Sequence, residues 1–402
     1  MQPTSDYTLL FPDHLNWEDF VSRKADVPFS EIVVEYLNAL SVSLLKDSES
    51  RLYPDVVTFA FFCRKANLLK LKEELVGKDE IRLGRGILFH IAPGNVPVNF
   101  AYTLVAGLLA GNRNVVRVSG KEFPQVDIII RHIHRLAEDI SFHDVSERIT
   151  LVRYGHTSDA SAYFSSIADV RVIWGGDQTI STIRKNELPP RSFDVCFADR
   201  YSVALINPDS VIQAGDDELK KLAEGFYNDT YLFDQNACSA PHLIFWRKTN
   251  TISKAKMRFW TAVHQLVEKK YNLQAVLAMD KLMAFCRQAI KNNINLERMP
   301  DNYVTRVHLH DLPNKIDTFR CAGGYFSEYD VDTLDEIVPI VTNKYQTMAY
   351  YGFYPEDLKA FVQRSHLRGL DRIVPIGDTT AFSLIWDGNN LIDMFSRIVS
   401  LK

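Results

Sequence analysis

Gly86-Ile-Leu-Phe-His-Ile-Ala92, closed by Pro93-Gly94-Asn95-Val96-Pro97, reads as an apolar strand that stops at a rigid loop. Two prolines fix φ and remove amide donors, so a strand ladder cannot run on through the loop. A helical stretch over 98–109 follows, and Gly111-Asn112 ends it. The next strand is Asn114-Val-Val-Arg-Val118, and a helix over 125–140 leads on to Ile149-Thr-Leu-Val-Arg153. Residues 157–168 are helix-like and precede Val170-Arg-Val-Ile-Trp174, where Gly175-Gly176-Asp177 opens another helix. Strands apolar on both faces, alternating with helices, predict a parallel sheet covered on both sides. A Rossmann-type nucleotide-binding domain is therefore expected over 81–200.

Downstream the rhythm repeats: a strand over 201–206, a charged helix over 216–230, a polar turn, and a strand over 242–246. Helices over 253–270 and 275–291 and a strand-like run over 303–309 follow. A second α/β domain is expected over 201–345. The segment 346–402 mixes short apolar runs with turns at Gly352, Gly369, Gly377 and Asp387-Gly388, and is expected to return across both domains. Residues 1–80 read as helical, with apolar spacing over 29–45 and 56–75, and are expected to form packing or assembly surface. The fold class is α/β.

Composition narrows the function classes. The 402 residues are 46% hydrophobic and 24% charged, ordinary values for a globular chain with a sizeable core. A net charge of −4 gives no support for a nucleic-acid partner. Five cysteines, at 63, 196, 238, 286 and 321, are odd in number and contain no CxxC pair. That argues for a reducing compartment, expected to be the cytoplasm, over a disulfide framework or zinc site. No secretory pattern opens the chain, and its longest apolar run, over 100–110, is too short to span a bilayer. His132 and His134 lie two apart on a helix, while His308 and His310 have no partner at metal spacing, so no metal is expected. No Gly-x-Ser-x-Gly elbow is present, which weakens a serine hydrolase reading.

Three motifs carry chemistry. In Tyr231-Leu-Phe-Asp-Gln-Asn-Ala-Cys238-Ser-Ala-Pro-His242, a cysteine sits on a polar turn between a charged helix and an apolar strand. A thiol there is exposed and positioned, and near turn amides or a cation it becomes a thiolate nucleophile. The plainer reading is a cysteine acting as a small buried apolar residue. Gly175-Gly176-Asp177 lets the backbone approach a pyrophosphate at a helix N-terminus, or is simply a tight strand-to-helix turn. Asn95, held between prolines at the carboxyl end of a strand, donates to a developing oxyanion or caps the following helix.

Taken in order, the Asn-bearing proline loop, the Gly-Asn turn with a basic strand, the strand–Gly-Gly–helix and the cysteine turn resemble the aldehyde dehydrogenase superfamily. The resemblance is closer to its fatty-acyl-CoA reductase (LuxC-type) branch, the reductase of bacterial luciferase operons. The strings Ala92-Pro-Gly-Asn-Val-Pro97, Trp174-Gly-Gly-Asp177, Phe197-Ala-Asp-Arg-Tyr-Ser202, Gln235-Asn-Ala-Cys-Ser-Ala-Pro241 and Ile385-Trp-Asp-Gly388 carry it over roughly 81–400.

The resemblance implies an aldehyde-dehydrogenase-like fold with a small oligomerisation element and a homo-oligomeric assembly. Cys238 is then the nucleophile, with Asn95 and the Cys238 amide as oxyanion donors. Arg117, Ser119, Gly175, Gly176, Asp177 and Glu336 fall to the cofactor. Arg117 falls where the superfamily places a basic residue on the adenosine ribose, and a guanidinium there favours NADPH over NADH. Hydrolytic members of the superfamily carry a glutamate before the cysteine, in a Glu-Leu-Gly-Gly string; this register reads Phe197-Ala198-Asp199-Arg200, with Asp199 as a partial substitute. The expected reaction is reduction of an acyl-CoA or other acyl thioester to the aldehyde, and the resemblance permits an acyl-protein synthetase as the donor partner. The competing expectations are an NAD-dependent aldehyde dehydrogenase and a cysteine acyltransferase without redox activity.

Overall fold

The computed structural model describes residues 7–77, 80–155 and 158–402. The chain divides into two compact units, the first ending at Ala198 but regaining Phe382–Lys402, the second spanning Asp199–Ala381.

Up to Ala198 the strands of the first unit are β1 (Thr8–Phe11), β2 (Arg82–Gly84), β3 (Ile87–Ile91), β4 (Arg113–Arg117), β5 (Ile149–Arg153), β6 (Val170–Trp174) and β7 (Phe193–Phe197). Six of them form a sheet in the order β1-β5-β4-β3-β6-β7. All neighbours are parallel except β1, which lies antiparallel on the β5 edge. Successive side chains of β3 serve opposite faces. Leu88 packs in one cluster with Val33, Leu37, Leu104 and Ile129, while Ile87, Phe89 and Ile91 pack in another with Trp17, Phe20 and Phe164. That double burial is why the strand carries no solvent-facing polar alternation.

Residues 7–77 do not stand apart as a helical region; they belong to the first unit. Helix Glu31–Lys46 begins later than the apolar spacing suggests, because Phe29 is left-handed at φ 52° and Ser30 is the N-cap. The continuous helix expected over 56–75 is two, Pro54–Phe62 and Lys65–Leu75. Cys63 is buried and Arg64 is extended, and the break is sealed by polar contacts. Asn38 accepts from the Lys65 amide, and Asn67 donates to the Phe62 carbonyl. Of the helix expected over 157–168, residue 157 lies outside the described residues, and the helix runs Ala160–Ser166.

Helix Asn99–Leu109 lies on a buried polar knot in which His90 bonds Thr103 and Asn114. Burial depresses the His90 pKa to about 4. A Cβ on Gly107 would fall 1.8 Å from Asn114 Oδ1. Gly107→Ala, which ordinarily strengthens a helix, should therefore destabilise the protein by about 1–3 kcal/mol. A lower urea midpoint checks it; an unchanged or raised midpoint contradicts the close approach.

The second unit holds β8 (Tyr201–Ile206), β9 (Pro241–Arg247), β10 (Ile294–Glu297), β11 (Thr305–Leu309), β12 (Tyr325–Val331), β13 (Tyr345–Tyr351) and β14 (Arg372–Pro375). Their order is β10-β11-β12-β9-β8-β13-β14, parallel except for β10. Again both faces are covered: Val203, Leu205, Leu243 and Phe245 fill one cluster, Ala204, Ile206, Ile244 and Trp246 the other. Because β13 and β14 complete this sheet, residues 346–381 belong to it. In the first unit, strand Ser396–Ile398 pairs with β2, and Leu391, Ile392 and Phe395 enter the core. Among the described residues no helix is long and apolar enough to cross a membrane.

Candidate active site

Cys238 is half-buried on the loop that joins helix Asp216–Thr230 to β9. A short 3-10 turn, Tyr231–Phe233, is followed by two non-glycine residues in left-handed conformation, Asp234 at φ 50° and Gln235 at φ 61°. Each such residue costs on the order of 1 kcal/mol or more and persists only where neighbours fix it. Tyr271 donates to Asp234 Oδ1 (2.6 Å), and the Gly323 amide to the Asp234 carbonyl (3.0 Å). Gln235 is buried with its whole amide satisfied. Nε2 donates to the Pro241 and Tyr325 carbonyls, and Oε1 accepts from the Gly324 and Tyr325 amides, all within 2.9–3.1 Å. Gly324 has φ 87°, and a Cβ there would fall 2.3 Å from Tyr231 Oη, so glycine lets β12 begin beneath the loop.

Around the cysteine both sheet ladders slip. The β8–β9 register shifts between Ser202 and Val203, and the β8–β13 register between Tyr345 and Met348. Such irregularities re-aim side chains beside active sites. Ser202 Oγ donates to the Cys238 carbonyl (2.7 Å) and accepts from the Thr347 amide (3.1 Å). Gln346 Nε2 donates to Cys238 Sγ at 3.3 Å. Arg372, which donates to the Thr379, Asp378 and Ala381 carbonyls, also interacts electrostatically with Cys238. The sulfur thus has an amide donor and a positive charge, the two features that favour a thiolate.

Two nearby titratable groups are not available as bases. Burial pushes the Asp199 carboxyl up, but its hydrogen bond and ion pair with Arg320 (2.7 Å), together with Lys344 (3.1 Å), outweigh this and hold it below its ordinary value. Asp199, expected as a partial substitute for the hydrolytic glutamate, is therefore a tethered and weakly basic carboxylate. His242 is buried and stacked on Tyr201 (centroids 5.6 Å apart), and burial with the Arg320 charge lowers its pKa to about 3. It is too weak a base to take a thiol proton at neutral pH.

Asn95, Arg117, Ser119, Gly175, Gly176 and Asp177 lie in the first unit, at or just beyond the carboxyl ends of β3, β4 and β6. Parallel α/β sheets bind ligands at that edge. The structure brings Gly94 beside Ser119, whose Oγ is 3.5 Å from where a Gly94 Cβ would stand. Arg117 donates to the Tyr154 carbonyl (3.3 Å) with its guanidinium 5.0 Å over the Tyr154 ring, and Arg153 Nε donates to the Ser119 carbonyl (3.2 Å). A hollow of about 470 Å³ here is lined by Tyr7, Thr8, Gly120, Arg153, Tyr154 and Gly155. Gly176 is the N-cap of helix Asp177–Ile183, with no side-chain cap. Glu336, expected at the cofactor ribose, lies in the second unit. Its Oε1 accepts from the Asp332 and Thr333 amides, completing a capping box with Thr333; the Thr-x-x-Glu spacing was the available signal. Gln346, Arg372 and the locking role of Gln235 were not anticipated from the sequence.

A family model described as "Acyl-CoA reductase (LuxC)" matches residues 67–398. The long-chain acyl-protein thioester reductase of Photorhabdus laumondii is 24% identical over 371 residues, covering 88% of this chain and 70% of that protein. The enzyme of the same name from Vibrio harveyi is 24% identical over 318 residues, covering 74% and 60%. The matches thus leave 30% or more of each relative uncovered. Among solved structures, NAD-dependent benzaldehyde dehydrogenase from Corynebacterium glutamicum superposes with a TM-score of 0.59 at 11% identity, covering 95% of this chain and 86% of that one. The 1-pyrroline-5-carboxylate dehydrogenase of Thermus with bound NAD gives 0.63 at 15% identity, covering 95% and 83%. These show a shared aldehyde dehydrogenase fold. Since the family model covers most of the chain and both units, the chain belongs to the acyl-CoA reductase (LuxC) family.

Proposed function

We propose that this chain reduces an acyl thioester to the aldehyde, using NADPH and an acyl group carried on Cys238. The observation that carries the reading is the Cys238 sulfur, half-buried on a locked loop with an amide donor at 3.3 Å. Acyl-protein thioester reductases among the relatives favour a thioester substrate over a free aldehyde.

The thiolate of Cys238 attacks the thioester carbonyl, with Asn95 and the Cys238 amide as oxyanion donors. Collapse of the tetrahedral species expels the donor thiolate and leaves an acyl-cysteine. NADPH, when bound, supplies the hydride that converts this thioester to a thiohemiacetal. Breakdown of the thiohemiacetal releases the aldehyde and returns Cys238 as thiolate. Tethered Asp199 supports reduction over hydrolysis, because no base activates water against the acyl-cysteine from that position. Either an acyl-CoA or an acyl protein handed over by a synthetase fits this chemistry. Exposed Met279, Met283 and Ile290 on one helix favour a homo-oligomer.

The first-unit residues fit a dinucleotide. Gly120 and Gly176 meet nothing within 4 Å where a Cβ would stand, so packing does not demand glycine and the bare backbone leaves room for phosphate. Gly175 and Asp177 adjoin that edge, and Arg117 with Ser119 would meet the ribose. Arg117→Ala should weaken NADPH about tenfold to a hundredfold, as expected for a lost hydrogen bond to a charged group, and NADH far less. Fluorescence titration of both cofactors tests this, and equal losses would remove Arg117 from the 2′-phosphate. The overall reading is tested by following NADPH absorbance and aldehyde formation with acyl-CoAs of graded length. Free acid formed from aldehyde and NAD without a thiol would overturn it.

A further inference from the structure

We infer that Gln346 is a positioning residue of the nucleophile: its side-chain amide holds the Cys238 sulfur and favours the thiolate. The inference rests on the proposed role of Cys238 as acyl carrier.

Gln346 is 1% exposed, and a buried amide is costly unless it is hydrogen-bonded. Its Nε2 donates to Cys238 Sγ. A neutral thiol sulfur is a weak acceptor, whereas a thiolate makes a charge-assisted bond. The contact is therefore a poor structural device and a good electrostatic one. Thr347 Oγ1 donates to Gln346 Oε1 at 3.3 Å, so the other end of the amide is hydrogen-bonded as well.

The backbone supplies the second argument. Gln346 sits inside the β8–β13 slip, where the Thr347 amide goes to the Ser202 hydroxyl, which in turn donates to the Cys238 carbonyl. One irregular segment of β13 thereby ties both ends of the cysteine, carbonyl through Ser202 and sulfur through Gln346. A regular ladder would have satisfied Thr347 from β8 and left the hydroxyl without this relay. The Arg372 charge acts on the same sulfur from β14.

The test is the pH dependence of iodoacetamide alkylation of Cys238, in which the thiolate displaces iodide and forms a thioether. It is read by mass of the Cys238 peptide in the full chain, for wild type, Gln346→Leu and Gln346→Glu. The midpoint should rise by about one unit in Gln346→Leu, the size expected for a lost bond to an anion. It should rise further in Gln346→Glu, where a carboxylate faces the thiolate. With NADPH and acyl-CoA, kcat should fall while KM changes little. Circular dichroism confirms folding, and the near-isosteric Glu variant serves if the Leu variant fails to fold. Unmoved midpoints in a folded variant overturn the inference. They leave the acyl-cysteine reading standing if the wild type is still acylated at Cys238, whereas a wild type never acylated there sinks that reading instead.

Discussion

Cys238→Ala should reduce acyl-thioester reduction to background, a loss on the order of 10⁴-fold or more, because a nucleophile is deleted and not merely weakened. Cofactor binding should survive, since Arg117, Ser119, Gly175 and Gly176 all belong to the first unit. The comparison to make is NADPH consumption against NADPH-induced fluorescence change in the same preparation. Cys238→Ser, with a poorer nucleophile on the same loop, should also be near background. Four other cysteines give internal controls. Cys63 is fully buried, and burial raises the thiol pKa of Cys63, Cys196 and Cys321. Substituting them should leave the rate within a few-fold. Near-normal turnover in folded Cys238→Ala would end the assignment.

Gln235→Leu should be the most destabilising single change at the loop. It deletes two donors to the Pro241 and Tyr325 carbonyls and one acceptor shared by the Gly324 and Tyr325 amides, all buried. Unsatisfied buried groups cost about 1–3 kcal/mol each and do not add simply, so a total of about 3–5 kcal/mol is expected. The loop also holds Asp234 and Gln235 in left-handed backbone, which would be released when the anchor goes. Gln235→Glu sharpens the test. An ionised carboxylate would face two carbonyls, so the introduced carboxyl should titrate above its ordinary value in the folded state. Its contribution is then fully present below the unfolded pKa of about 4.3 and lost as pH rises through the folded one. A urea midpoint that falls with rising pH in Gln235→Glu, but not in wild type, is the expected result. A midpoint as stable as wild type at neutral pH would contradict the anchoring role.

Much of the fold is legible because its strands are buried on both faces. Runs such as Ile87–Ile91 and Tyr201–Ile206 have no polar alternation to confuse them, and the helices between them carry clear apolar stripes. Strand β12, Tyr-Phe-Ser-Glu-Tyr-Asp-Val, is harder to read. Its Glu328 looks like a solvent residue, yet it is fully buried and accepts from Arg306 and from the indoles of Trp246 and Trp260. The edge strand β1 is short and pairs with a strand far along the chain. The site divides in the same way. Cys238 announces itself by residue type and turn context, but the groups that govern it do so only through folding. Gln346 lies 108 residues from Cys238 in sequence, and Gln235 reaches Tyr325 across 90. Nothing local marks a buried glutamine as the anchor of a distant loop. Glu336 carries both a motif resemblance and a local capping signature, and the capping box is present in the structure.

The most direct test is the intact mass of the wild-type chain after brief exposure to an acyl-CoA without reductant, followed by peptide mapping. The account predicts one added acyl group, located on Cys238 and discharged as aldehyde when NADPH is supplied. Steady NADPH-dependent reduction of the same acyl-CoA with Cys238 unmodified throughout, or with the acyl group on another cysteine, would contradict it.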